Sequence, residues 1–140
     1  MNATLKVPVE PWARRLVLLE IALPVVLLVL GIYAGLLQVL FRAGVIQAAE
    51  FWGWEYYQAL TLHGVVNAIV FTTFFAVAFG NALVPYALGM KLPLRWAWVS
   101  GIMMIVGTLM AAWAILAGKA SVLYTFYPPL MAHPLFYLGA

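Results

Sequence analysis

Residues 16–41 read LVLLEIALPVVLLVLGIYAGLLQVLF, an apolar run interrupted only by Glu20 and Gln38. Roughly 20 residues of helix cross the hydrocarbon of a bilayer. The run is too long for the apolar region of a signal peptide, and no small-residue cleavage site follows it. Two further runs of comparable character cover about 59–89 and 96–118, and the last residues, from near 134, are apolar enough to begin a fourth. These runs predict an all-α, polytopic transmembrane helix bundle over 1–140, with three full spans and the start of a fourth. The lipid bilayer is therefore the first partner. In a chain that is 67% hydrophobic and 8% charged there are too few polar side chains to cover a water-soluble domain. The same figures exclude a disordered chain. The absence of cysteine excludes disulfides and thiolate metal sites. A net charge of +3, scattered along the chain, gives no nucleic-acid footprint.

Punctuation between the runs is clear. Pro24 lies inside the first span and removes a helical hydrogen bond to the carbonyl of Glu20, which predicts a bend there. The connection 42–58 carries Trp52, Trp54, Tyr56 and Tyr57, rings suited to the headgroup layer. With the N-terminus inside, Lys6, Arg14, Arg15, Lys91 and Arg95 lie on the inner side, while Arg42 and Lys119 lie outside. Five against two predicts a cytoplasmic N-terminus by the positive-inside rule.

His63 is the residue most apt for chemistry. It lies just inside the second span, where an ionisable side chain is costly unless paired or coordinated, and imidazole is a good ligand for iron, copper or zinc. The plainer reading is helix packing, with the ring bonded to water or a carbonyl; both stand on the pattern alone. Gly64, Ala68, Thr72, Ala76 and Gly80 recur every four residues, a stripe that admits a neighbouring helix or a flat ring. Asn67, one turn after His63, either orients the imidazole or bonds two helices together. Gln38 lies near the outer end of span one, roughly level with His63. Glu20 is expected to snorkel or to pair with Arg15, with a proton-path role as the alternative, and Asn81 is expected to be structural. His133 reads as an interfacial histidine. Lys119, Tyr124, Tyr127, Pro128 and Pro129 form a rigid aromatic entry to the fourth span.

Three segments carry a family resemblance: YYQALTLHGVVNAIVF at 56–71, GNALVPYALG at 80–89 and VLYTFYPPL at 122–130. In order and placement they resemble subunit I of the haem–copper terminal oxidases, the family of cytochrome c oxidase subunit I, from about 38 to 140. The resemblance implies a bundle of about twelve helices in a prokaryotic inner (plasma) membrane that reduces dioxygen to water with proton translocation. It maps His63 onto an axial ligand of the low-spin haem (b or a type), with Gln38, Asn67 and Tyr127 as haem-pocket neighbours. A histidine pair keeps that iron six-coordinate and suited to electron transfer. The second haem ligand, the high-spin haem ligand and the copper ligands belong to later helices in that family. The resemblance thus implies that the remainder of subunit I, subunit II and cytochrome c as donor are partners, and that 140 residues alone are an inactive N-terminal part. The loop GMKLPLRW lacks the aspartate found after span two in two-channel members. This puts the aspartate-gated route in doubt and resembles the single-channel subgroup of thermophilic bacteria and archaea. The alternatives are a small helical membrane scaffold or accessory subunit without haem, and part of a quinol oxidase or nitric oxide reductase.

Overall fold

The computed structural model describes residues 10–47 and 55–140. Lys6, Trp52 and Trp54, invoked above for orientation and headgroup contact, lie outside them. The described residues form α1 (Pro11–Arg42), α2 (Tyr56–Gly64), a π-helical stretch (Val65–Val70), α3 (Phe71–Leu88), α4 (Leu94–Leu116) and the short α5 (Pro134–Gly139). Among them no strand occurs beyond an isolated antiparallel bridge between Ala120 and Ala132. Three helices are long and apolar enough to cross a membrane: α1, the continuous α2–π–α3 unit Tyr56–Leu88, and α4.

Local chemistry explains where these helices start and stop. α1 begins ahead of its apolar run because Pro11 takes the first helical position, where its missing N–H is no loss. α3 and α4 both end on a left-handed glycine. At Gly89 (φ 61°) the N–H of Met90 donates to the carbonyl of Pro85 at 3.0 Å; at Gly118 (φ 69°) that of Lys119 donates to Ala114 at 2.8 Å. These bonds satisfy the last carbonyls of each helix without a Cβ penalty.

Contacts between helices fix their directions. Gln38 near the end of α1 donates from Nε2 to the Tyr56 carbonyl at the start of α2 (3.2 Å), and Glu20 near the start of α1 meets Asn81 near the end of α3. α1 and the α2–π–α3 unit are therefore antiparallel. α4 runs with α1: Trp12 stacks edge-on against Trp98 at 6.4 Å, and Gly101 lies against Leu16. The shared interior is built from small and branched residues, including Ala34, Leu62, Val66, Ala111, Ala114 and Ile115. Outward faces remain apolar, with Val26, Val29, Ile32 and Val39 of α1 all exposed. Such faces suit lipid or further helices and not water.

Glu20 departs from its expectation. It neither snorkels nor pairs with Arg15; it is fully buried and accepts hydrogen bonds from Asn81 Nδ2. Arg15 instead lies over the Trp12 ring, 4.7 Å from its centroid. Position along the helix set the expectation, but the carboxylate lies on the face that α3 and α4 cover.

The segment between α4 and α5 folds back over the ends of α2 and α4. Thr61, fully buried, donates from its hydroxyl to the Tyr57 carbonyl (2.7 Å) and accepts from the N–H of Leu123 (2.9 Å). Leu123 is left-handed (φ 64°), a conformation that a leucine holds only when its surroundings impose it. Thr61→Val keeps the shape and removes the acceptor. We expect it to cost about 1–3 kcal/mol, measured as a lowered thermal midpoint in detergent with helix content unchanged. The peptide joining Pro128 and Pro129 is cis.

Candidate functional site

His63 comes from the last turn of α2, and its ring lies against the backbone of α1. A Cβ at Gly35 would stand 2.5 Å from both Nδ1 and Cε1 of His63, and one at Gly31 would collide with Oδ1 of Asn67. Gly31 and Gly35 are one turn apart on the same face of α1. Together they open a slot that no other residue pair would leave. The signal was present in the sequence as G-x-x-x-G within an apolar run, a pattern for close helix approach. The sequence reading did not use it.

The slot also sets the chemistry of the ring. Nδ1 lies 2.7 Å from the Gly31 carbonyl oxygen, which can only accept. Nδ1 is therefore the protonated nitrogen and donates to Gly31. Nε2 is left with its lone pair and, among the described residues, with no hydrogen-bond partner. An imidazole held by one nitrogen on a backbone carbonyl, with the other free, is the arrangement of a metal-ligating histidine. The amide nitrogen of Asn67 stands 3.0 Å from the same Nδ1, and Oδ1 of Asn67 is buried without a partner. A protonated Nδ1 cannot accept from an amide. The reversed amide, with Oδ1 accepting from Nδ1–H, satisfies both groups, and amide orientation is an assignment that the hydrogen-bond network decides.

The other candidates fall in different places. Gln38 is buried on α1, one turn beyond Gly35; it bonds the Tyr56 carbonyl, not His63, and its Oε1 has no partner. Tyr127 is exposed, at 69% of its surface, in the connection before α5. The ring of Tyr124 lies against Gly64, the residue after His63: a Cβ on Gly64 would approach its Cδ1 to 2.9 Å. The small-residue stripe is split. Gly64 faces inward under Tyr124, whereas Ala68, Thr72 and Ala76 are exposed. The π-helical stretch between them adds a wider turn and rotates the later residues off the earlier face. His133 accepts from the N–H of Leu135 at 3.2 Å and caps α5, with its ring edge-on to Trp113. Among the described residues no three histidines or carboxylates gather into a metal site. By the chemistry of its ring, His63 could supply one ligand to a metal-containing cofactor.

Three helices long and apolar enough to cross a membrane, with one oriented imidazole held between two of them, define a polytopic helical membrane protein. Residues 15–140 match the family described as cytochrome c and quinol oxidase polypeptide I. The chain belongs to that family. It is 53% identical over 86 residues to cytochrome c oxidase subunit 1 of Thermus thermophilus, a stretch covering 61% of this chain and 15% of the relative. A solved haem–copper terminal oxidase dimer, determined by cryo-EM, contains a chain that superposes with a TM-score of 0.89 at 54% identity, covering 94% of this chain and 22% of that one. The matched stretches thus span less than a quarter of the length of these relatives.

Proposed function

We propose that this chain supplies His63 as one axial ligand to the low-spin haem of a respiratory terminal oxidase, which passes electrons from cytochrome c to a haem–copper centre and reduces dioxygen to water with proton translocation. The observation that carries the reading is the Gly31 carbonyl on Nδ1 of His63, at 2.7 Å, which leaves Nε2 free to ligate. The bound haem would supply one-electron transfer, its iron kept from oxygen by six-coordination. The rest is done by this chain's own residues. Gly31 fixes the tautomer, the Gly35 backbone fixes the plane of the ring, and Asn67 accepts a share of the Nδ1 proton and limits rotation.

The second axial ligand, the high-spin haem and the copper ligands would come from the remainder of subunit I, with subunit II as docking partner for the donor. We place the protein in a prokaryotic plasma membrane with its N-terminus cytoplasmic, on the basis that Arg14, Arg15, Lys91 and Arg95 share one side. Oxygen consumption by the assembled protein tests the assignment of donor and acceptor. The expected result is turnover with reduced cytochrome c. Turnover with quinol alone would move the chain to the quinol oxidases, and nitric oxide consumption without oxygen consumption would move it to the reductases.

A further inference from the structure

Glu20 is the one fully buried carboxylate among the described residues, and the haem-ligand reading makes no use of it. Three helices converge on it. α1 carries it; α3 supplies Asn81, whose Nδ2 stands 3.0 Å from both carboxylate oxygens; and α4 passes with Gly101, where a Cβ would lie 3.5 Å from Oε1. A carboxylate in a span, with no cation paired to it, is expensive to keep as mere packing. On the other side of Asn81 opens a cleft of about 550 Å³, lined among others by Glu10, Arg14, Ala82, Tyr86 and Lys91. Arg14 and Lys91 are exposed at its mouth. Asn81 thus lines the cleft and also bonds the buried acid.

We propose that Glu20 is an intramembrane proton-exchange site, loaded from the Arg14 and Lys91 side through this cleft, with Asn81 as its positioning residue. The chemistry is a simple transfer: a proton from a cleft water adds to the carboxylate and leaves on the same route. Asn81 serves both states. Its N–H donates to the ionised carboxylate, and its carbonyl oxygen accepts from the O–H of the acid once the amide turns. Each state then keeps at least one hydrogen bond between Asn81 and the carboxyl group. The charged and titratable groups that bear on this exchange are Glu10 just before α1, Arg14 on α1, Tyr86 on α3 and Lys91 in the following turn. α4 contributes only Arg95, six residues before Gly101.

The test uses the full chain in its native membrane and dicyclohexylcarbodiimide, an apolar reagent that adds to protonated carboxyl groups. Peptide mass spectrometry reads the adduct at Glu20 over a pH series. The expected result is an adduct that is strong at low pH and lost as pH rises, because the buried acid equilibrates with water. After a pH jump the adduct level follows quickly in the native chain and slowly in Ala82→Phe, which narrows the cleft beside Asn81 but leaves Glu20 and Asn81 in place. No adduct at any pH, or a level independent of pH, would show Glu20 to be a sealed structural contact and overturn the proposal. An equally fast response in Ala82→Phe would overturn the route. The haem spectrum plays no part in this readout, so failure of the haem-ligand reading and failure of this one remain separable.

Discussion

His63→Ala in the assembled oxidase is expected, on the proposed ligand role, to abolish the low-spin haem signal in the reduced-minus-oxidised spectrum and to drop electron transfer to the oxygen site to background. The size of the effect follows from ligand count. Alanine removes the sole imidazole that α2 offers, and the described residues bring no second histidine or carboxylate near enough to replace it. In the proposed role His63 would hold the low-spin haem, so its loss would remove the low-spin spectrum. Helix content and membrane insertion remain, because the Gly31 carbonyl loses a partner but the α1–α2 interface keeps its apolar contacts. A normal low-spin band in the variant would end the assignment of His63.

Gly35→Val gives the second large effect, without touching a ligand. The first added carbon would stand 2.5 Å from Nδ1 and Cε1 of His63. Real side chains do not approach so closely, so either the imidazole swings out of its slot or α1 moves away from α2. Either way the Gly31–Nδ1 hydrogen bond is lost. Disrupting the partner that orients a ligating histidine costs about 10- to 100-fold in metal affinity or activity. We expect that loss in turnover, together with a shifted or broadened low-spin band, and a smaller change for Gly35→Ala in the same direction. If Gly35→Val left both spectrum and turnover unchanged, the ring of His63 could not lie against α1 as described.

Gly35 also shows where sequence reading reaches its limit. The glycines at 31 and 35 are visible as a spaced pair, but spacing does not reveal whether a helix, a lipid or an imidazole fills the notch. His63 could be picked out because an ionisable group in an apolar run is rare, yet its tautomer depends on a carbonyl 32 residues earlier in the chain. Glu20 was misjudged for the same reason. Distance along α1 suggested Arg15 as a partner, while the true partner, Asn81, is 61 residues away and is brought near by the antiparallel return of α3. The π-helical stretch had no signature in VVNAIV, which reads as ordinary helix, and it redirected a stripe that four-residue spacing had drawn straight. Thr61 looked like one polar residue among apolar neighbours; only the folded-back segment reveals the Leu123 N–H that it holds.

The sequence by itself determined that this chain lies in a membrane, that three spans cross it, and that His63 lies near one end of the second. Hydrophobic runs do this because the bilayer is a solvent that each segment meets on its own, residue by residue. The family could be read from short segments for a related reason: their residues are neighbours in the chain. What the tertiary structure alone decided was which polar groups meet across helices: Gly31 with His63, Asn81 with Glu20, Tyr124 with Gly64. Those pairings depend on the register and facing of helices packed within hydrogen-bond distance, and neither quantity is encoded in the pattern of any single span.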